Sequence, residues 1–219
     1  RTAEQWMAEG RVRVNGETAM IGQRADSARD EITVDGVPIA RVEQKHYLML
    51  NKPRGYVCTL SDEKGRPTVA ELVKDCGARV YPVGRLDRDS EGLLLFTNDG
   101  ALTQRLLHPS HQVDKVYIVS VSGADEGSAG RLRAVTSLDG QPIAPAQVDE
   151  LYRRGDRAEY RIVIHQGKKR QIRRMCAAVG LTVTRLCRIA EGGLELGALP
   201  PGRWRYLTAG ELESIKGSD

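Results

Sequence analysis

A helix followed by β-hairpins is predicted from the pattern of polar and apolar residues at the start of the chain. Thr2 and Gln5 have the spacing of a helix capping box, and Gly10 is placed to end that helix. Short alternating segments then lead into two turn-forming pairs, Asn15-Gly16 and Asp35-Gly36. We therefore expect a small domain over residues 1–42.

A larger α+β domain is expected over residues 43–219, with the boundary near residue 43. Apolar or alternating segments predict strands at residues 46–50, 93–97, 115–121, 159–165 and 181–186. Capping signals or helical spacing predict helices from Thr68, over residues 101–107 and ending before Pro109, over residues 169–179, and after Thr208. Residues 122–145 lack a clear period and predict an irregular connection. Because strands and helices do not alternate regularly, we expect a mixed, largely antiparallel central sheet.

Composition narrows the class of protein. A chain of 219 residues, 40% hydrophobic and 28% charged, can bury one substantial core with a small appendage. No apolar run approaches the roughly 20 residues of a membrane span, and no secretory signal is visible. The four cysteines lack metal or redox spacing, which predicts reduced thiols and no metal site. We expect a soluble cytoplasmic protein whose natural N-terminus lies upstream of Arg1, since no initiating Met is present.

Positive charge is concentrated in two parts of the chain rather than spread evenly. The net charge is only +4, but five basic residues fall within seven positions: Lys168, Lys169, Arg170, Arg173 and Arg174. A smaller group, Arg11 and Arg13, lies near the start. Such clusters either bind a polyanion or form a solvated face, and composition alone leaves both open.

Three carboxylates alternate along the chain immediately before a predicted apolar strand. They are Asp87, Asp89 and Glu91, and the strand follows from Gly92. Taken on its own, this pattern fits a solvated loop, a metal site built from the three carboxylates, or a catalytic carboxylate set against arginines.

The motifs in this region resemble those of the pseudouridine synthases of the RsuA/RluB/RluE/RluF family, and most closely the RluB-like branch that acts on large-subunit rRNA. Residues 84–87 read Gly-Arg-Leu-Asp, like the family's catalytic motif, and residues 92–100 resemble its continuation. Similar family motifs occur at residues 48–55, 115–117, 167–175 and 186–207. The resemblance implies a cofactor-independent enzyme that isomerises uridine to pseudouridine in rRNA.

The resemblance also implies roles for individual residues. Asp87 would be the catalytic carboxylate, acting as a nucleophile or as a base toward the ribose, and Arg173 would pair with it. Tyr117 would stack on a uridine flipped out of a structured hairpin, and Arg85 would fill the gap that it leaves. The alternatives are a core tyrosine and a structural ion pair. Asp89 and Glu91 are interpreted as loop-structuring or solvated residues.

Further contacts to RNA are expected from basic residues in both domains. Lys168, Lys169 and Arg170 would bind phosphate. Residues 1–42 resemble the RNA-binding domain of small-subunit ribosomal protein four without its leading helix, and Arg11 and Arg13 would contact RNA there. We expect a monomer. Two other functions compete: a non-catalytic clamp on rRNA and a metal-dependent hydrolase. Which uridine would be modified is not evident from the sequence.

Overall fold

The computed structural model describes residues 2–26, 29–39, 44–108, 110 and 112–216, and the chain separates into two compact units, Arg1–Lys45 and His46–Asp219. The expected domain boundary near residue 43 lies outside the described residues, as does Pro109. The described part of the chain has no helix long and apolar enough to cross a membrane.

The first unit is a short helix with a small antiparallel sheet. Helix α1 (Thr2–Ala8) precedes four strands in the order β2-β1-β3-β4: β1 (Val12–Val14), β2 (Glu17–Thr18), β3 (Ile32–Val34) and β4 (Val37–Pro38). Asn15 and Gly16 have φ of 52° and 84°, and Asp35 and Gly36 have 51° and 79°. Two successive left-handed residues are the geometry of a tight hairpin turn, so both predicted turns are confirmed.

The second unit is an α+β domain around one large sheet. Its strands are β5 (Tyr47–Lys52), β6 (Tyr81–Val83), β7 (Glu91–Thr97), β8 (Lys115–Ser122), β9 (Ser137–Leu138), β10 (Gln141–Pro142), β11 (Gln147–Arg154), β12 (Arg157–Ile164), β13 (Thr182–Glu191), β14 (Leu194–Glu195) and β15 (Trp204–Tyr206). Its helices are α2 (Val69–Leu72), α3 (Gly100–Leu107), α4 (Ser128–Arg133), α5 (Gln171–Ala178) and α6 (Ala209–Lys216), with a 3₁₀ turn at Lys74–Cys76.

The large sheet has nine strands and is mixed, as expected. The order is β11-β12-β8-β13-β7-β5-β15, with β6 and β14 pairing with β7 and β13. Strands β13 and β7 pair in parallel through Cys187–Glu91 and Arg188–Gly92, whereas the other strand pairs are antiparallel. This parallel junction places β13 beside the start of β7, directly after the three carboxylates.

Both faces of the central strands are covered by apolar side chains. On β7, Leu94 and Phe96 belong to one core cluster, and Leu93 and Leu95 belong to another. Successive side chains of a strand point to opposite faces, so a continuous apolar run is the sequence of a strand buried on both sides.

Gly92 shows why the junction between β7 and β13 requires glycine. Its φ is 106°, and a Cβ there would lie 2.2 Å from the backbone oxygen of Arg188. A larger residue would push β13 away from the loop that carries Asp87.

The connection over residues 122–145 is more regular than expected. It contains helix α4 and the small hairpin of β9 and β10. Strand β11 was not predicted either; Val148 is its one buried residue. A strand at the edge of a sheet presents mostly solvent-exposed side chains, so its sequence carries little apolar alternation.

Candidate active site

The loop between β6 and β7 carries Asp87, and a buried lysine fixes its backbone. Lys52 is fully buried at the end of β5. Its Nζ donates to the backbone oxygens of Pro53 at 3.0 Å, Asp87 at 3.2 Å and Ser90 at 2.8 Å. The Asp87 oxygen also accepts from the Ser90 N–H at 3.0 Å. The three hydrogens of the ammonium therefore each have an acceptor, and the carboxylate of Asp87 projects from a constrained backbone.

Burial lowers the pKa of Lys52 below its ordinary value, whereas the carboxylates of Asp87, Asp89 and Glu91 oppose that shift. The negative charges of the loop thus favour the protonated form of the buried lysine, and the lysine in turn donates hydrogen bonds to the backbone of that loop. The Asp87 side chain itself is 33% exposed, so it remains accessible to a ligand.

Two arginines from the start of α5 approach this loop. Arg170 Nη1 lies 3.6 Å from Asp87 Oδ2, and the same guanidinium binds both carboxylate oxygens of Asp89 at 3.0 and 2.9 Å. The hydrogen bond from Arg170 holds the pKa of Asp89 below its ordinary value. Arg170 therefore links the two carboxylates of the loop.

The contacts of Arg173 among the described residues are to Asp89, and the charge of Asp87 also acts on Arg173, so the expected pairing of Arg173 with Asp87 stays a prediction. Arg173 Nη2 donates to the backbone oxygen of Asp89 at 2.9 Å, and its Nε lies 3.4 Å from Asp89 Oδ2. Arg170 caps α5 in the left-handed conformation, with φ of 51°, at the point where the chain turns into the helix. This places the Arg170 guanidinium beside Asp87, whereas Arg173, one turn further along, reaches Asp89.

Asp89 and Glu91 both structure the loop and are not simply solvated. Glu91 binds Arg185 and lies 3.4 Å from Arg54 Nε. The two carboxylates are thus neutralised by arginines from other elements. Within the described ranges, no group of three His, Cys, Asp or Glu side chains could hold a metal ion.

A cleft of about 940 Å³ brings most of the predicted residues together. Its lining includes Asp87, Arg85, Tyr117, Lys168, Lys169 and Arg170. Arg173 is not part of that lining; it donates to the backbone oxygen of Asp89. A smaller adjoining depression of about 490 Å³ shares Asp87, Arg88 and Arg170 with the cleft. Asp87 therefore lies where the two depressions meet.

Tyr117 lies on β8 and is both buried and part of the cleft wall. Its side chain is only 8% exposed, and burial raises its pKa above the ordinary value. Its register partner on β13 is Arg188, whose positive charge opposes this shift in the pKa of Tyr117. The ring is therefore held in place and still borders the cavity.

The basic residues differ in how firmly the protein holds them. Arg85 is exposed and forms no hydrogen bond or ion pair with any other described residue, so a structural ion pair is not observed. Lys169 is also exposed. Lys168 is exposed too, but its Nζ donates to the backbone oxygen of Pro142 at 2.5 Å.

In the first unit, Arg11 is engaged by acidic neighbours. It binds Asp35 at 2.9 and 2.6 Å and Glu9 at 3.1 Å, and its guanidinium lies 5.3 Å from the centre of the Trp6 ring. Asp35 and Glu9 raise the pKa of Arg11 above its ordinary value. Arg13 is exposed on β1.

A buried charge cluster in the lining of the cleft was not predicted from the sequence. Arg188 is 2% exposed and donates from Nε to the backbone oxygen of Leu93 at 2.8 Å. Its Nη2 lies 3.1 Å from Glu191 Oε2, and Lys115 Nζ lies 3.8 Å from Glu191 Oε1. Although burial opposes the charge, Glu191 and Tyr117 hold the pKa of Arg188 above its ordinary value. The sequence signal for this cluster is a charged residue, Arg188, within a strand that also carries apolar residues. A charged side chain that is buried in such a strand requires a partner of opposite charge.

Known proteins similar to this chain share one enzyme family. The family model described as RNA pseudouridylate synthase matches residues 46–178. An "Uncharacterized RNA pseudouridine synthase" of Aquifex aeolicus (strain VF5) is 40% identical, with 98% of this chain and 87% of that protein covered. "Ribosomal large subunit pseudouridine synthase B" of Bacillus subtilis (strain 168) is 36% identical, with coverages of 99% and 89%. A solved structure, "Crystal structure of pseudouridylate synthase", has a TM-score of 0.71 at 30% identity and covers 98% of this chain and 92% of that one. The chain belongs to the RNA pseudouridylate synthase family.

Proposed function

We propose that this protein isomerises uridine to pseudouridine in large-subunit ribosomal RNA, with Asp87 as the catalytic carboxylate. The observation that carries the proposal is the placement of Asp87: its backbone is fixed by buried Lys52, and its carboxylate lies at the junction of two depressions beside Arg170. A similar protein of Bacillus subtilis is named for the large ribosomal subunit, which supports the choice of RNA.

The chemistry requires no net oxidation or hydrolysis. The bond between N1 of uracil and the anomeric carbon breaks, the base turns, and C5 becomes bonded to that carbon. The C5 proton leaves and N1 gains a proton, so substrate and product are isomers. A carboxylate beside the ribose can add to the sugar or remove a proton from it, and both routes use Asp87 as an anion.

Arg170 supports that anionic form of Asp87. A nearby positive charge favours the ionised carboxylate, and RNA that covers the cleft excludes water and strengthens the interaction. Because Arg170 is bound to Asp89 on both carboxylate oxygens, the guanidinium is held in position before RNA arrives. Arg173 contacts Asp89 and also interacts with the charge of Asp87, so it adds to the positive charge beside the catalytic carboxylate.

The rest of the cleft suits a nucleotide flipped out of an RNA hairpin. Tyr117 offers a ring fixed in the cleft wall on which the uracil can stack. Arg85 is exposed and has no hydrogen bond or ion pair with another residue that the structure describes, which suits a side chain that fills the gap in the RNA. Lys168 and Lys169 lie at the same cleft and can neutralise phosphates, with Lys169 the less constrained of the two.

Residues 1–42 are proposed as an RNA-binding domain like that of small-subunit ribosomal protein four. Of Arg11 and Arg13, Arg13 is the more exposed, while the guanidinium of Arg11 donates to Asp35 and Glu9. Arg13 is therefore the better candidate for a phosphate contact. We propose further that the protein acts as a monomer in the cytoplasm.

Mapping of pseudouridines in rRNA tests the proposed substrate. We expect one or more large-subunit pseudouridines to be missing from cells that lack this protein and restored by the wild type but not by Asp87→Asn. Unchanged rRNA would contradict the proposal. In vitro, turnover that persists in chelator argues against a metal-dependent hydrolase, and RNA binding without pseudouridine under any condition would favour a non-catalytic clamp.

A further inference from the structure

The smaller depression beside Asp87 is lined almost entirely by charged residues, and the proposed reaction gives it no occupant. Its lining residues are Arg54, Gly55, Asp87, Arg88, Asp89 and Arg170. Three arginines and two aspartates leave the lining with a net positive charge. A concave surface with an excess of positive charge favours an anionic ligand.

Arg88 supplies this excess of positive charge. Arg170 is paired with Asp89, which lines the same depression. Arg54 Nε lies 3.4 Å from Glu91 Oε2, so its charge is also opposed by a carboxylate. Arg88 is exposed and forms no ion pair with any residue that the structure describes. Its charge is therefore available to a ligand.

The guanidinium of Arg88 is fixed through one nitrogen and free at the other two. Its Nε donates to the backbone oxygen of Gly55 at 3.1 Å, and the Gly55 N–H donates to the Arg88 oxygen at 2.8 Å. Gly55 has a φ of 93°, a conformation that glycine adopts without strain. No hydrogen bond joins Nη1 or Nη2 to another described residue. A planar guanidinium with free terminal nitrogens suits the oxygens of a phosphate group.

The position of Arg88 identifies which phosphate it can reach. Arg88 follows Asp87 in the chain, and both residues line the smaller depression as well as the cleft. In the proposed reaction the uracil enters the cleft and its ribose lies at Asp87. Within an RNA chain each ribose is bonded to a phosphate on either side, so the depression that adjoins Asp87 is the place for one of the two. Such a phosphate and the anionic Asp87 repel each other, and a cation beside both reduces that repulsion.

We propose that Arg88 binds the RNA phosphate next to the flipped uridine and so holds its ribose against Asp87. The ligand is a phosphodiester of the RNA backbone, bound without regard to the base. This inference rests on the proposed function, which supplies the flipped uridine. It goes further by assigning the smaller depression to one phosphate and by giving Arg88 a role in binding.

The dependence of rRNA binding on salt tests the charge of Arg88. Each phosphate that a protein cation neutralises contributes about 0.7–0.9 to the slope of log affinity against log salt concentration. Arg88→Gln should therefore make the slope for large-subunit rRNA shallower by about that amount. Arg88→Lys keeps the charge but loses the Nε contact with Gly55, so its slope should equal that of the wild type.

Arg79→Gln is the matched control for these variants. Arg79 is also exposed, but its guanidinium lies 5.6 Å from the centre of the Tyr81 ring, and it lines neither the cleft nor the smaller depression. Its slope should equal that of the wild type. Circular dichroism checks that all three variants are folded.

Ethylation interference identifies the phosphate that Arg88 contacts. Ethylation removes the negative charge of single phosphates in large-subunit rRNA, and the ethylated positions that prevent binding are missing from the RNA recovered with the protein. With the wild type, one such position should lie directly beside the modified uridine. With Arg88→Gln that position should no longer interfere, whereas Arg79→Gln should keep the wild-type pattern.

A wild-type slope for Arg88→Gln overturns the proposal, and so does an equal loss of slope in Arg88→Lys, since Arg88 would then only support Gly55. Absence of interference beside the modified uridine in the wild type overturns it without any variant. Failure of the proposed function is distinguishable, because both measurements report binding. If the wild type forms no pseudouridine in rRNA, but one phosphate loses its interference in Arg88→Gln, the phosphate site stands and the isomerase does not.

Discussion

Replacement of Lys52 by Met should loosen the loop that carries Asp87 and destabilise the fold measurably. The substitution keeps an unbranched side chain of similar length but removes the ammonium that donates to Pro53, Asp87 and Ser90. The Asp87 oxygen would retain the Ser90 N–H, and Pro53 is half-buried, so water can replace the lost donor there. Ser90 is 1% exposed, and its oxygen would lose the ammonium in a site closed to water.

One buried acceptor left without its donor costs about 1–3 kcal/mol. Removal of a desolvated cation offsets part of this cost. We therefore expect the free energy of unfolding to fall by an amount within that range, and not by the sum of three hydrogen bonds. The single-turnover rate should fall at least about tenfold, because small displacements of a catalytic group are costly.

Urea unfolding and single-turnover kinetics measure the two effects. Lys74→Met is the control, since Lys74 is exposed in the 3₁₀ turn and surface substitutions usually change stability by no more than about 0.5 kcal/mol. If Lys52→Met unfolds at the wild-type urea concentration and turns over at the wild-type rate, the ammonium does not hold the loop and our reasoning is refuted.

Three further predictions follow from the contacts described. Arg170→Ala should lower the single-turnover rate at saturating RNA at least about tenfold because Arg170 lies 3.6 Å from Asp87, whereas Lys169→Ala should mainly weaken binding; a normal rate for Arg170→Ala would make it a phosphate contact only. Deletion of residues 1–42 should weaken rRNA binding and make its dependence on salt shallower, and an identical log–log slope would contradict a role in phosphate binding. Arg205 lowers the pKa of Glu211 to about 2, so this carboxylate stabilises the fold above its ordinary pKa of 4.5 and the contribution is lost as pH falls toward 2. Glu211→Gln should therefore cost up to about 1 kcal/mol in urea unfolding at pH 7, with the difference shrinking in acid; a difference independent of pH would exclude this ion pair as its source.

The elements with strong local signals could be predicted from the sequence. Asn15-Gly16 and Asp35-Gly36 form the turns that such pairs favour, and Thr68 with Glu71 forms the capping box that opens α2. The apolar run of β7 identified a strand buried on both faces. In these cases the side chains that define the element are neighbours in sequence, so local chemistry is sufficient.

The contacts that depend on tertiary structure could not be predicted in the same way. Whether Arg170 or Arg173 faces Asp87 depends on the left-handed backbone at Arg170, which the basic run does not reveal. Lys52 is fully buried although lysine is almost always exposed, and only the loop folded around it explains this. Arg188 lies opposite Tyr117, which belongs to another strand, so the position of the buried Arg188–Glu191 pair beside the cleft depends on strand pairing. The sequence therefore indicated the loop that carries Asp87 and the basic segment, but not the buried charges of Lys52, Arg188 and Glu191.

Release of tritium from RNA labelled at C5 of uridine is the most direct test of the role of Asp87, since the C5 proton leaves only when the new carbon–carbon bond forms. Single-turnover release from large-subunit rRNA should be observed for the wild type and for Asp149→Asn, a control on β11 whose side chain is 60% exposed and paired with Arg161. Asp87→Asn should release no tritium while it still binds the RNA. Release by Asp87→Asn at a rate near that of the wild type would contradict the assignment of Asp87 as the catalytic carboxylate.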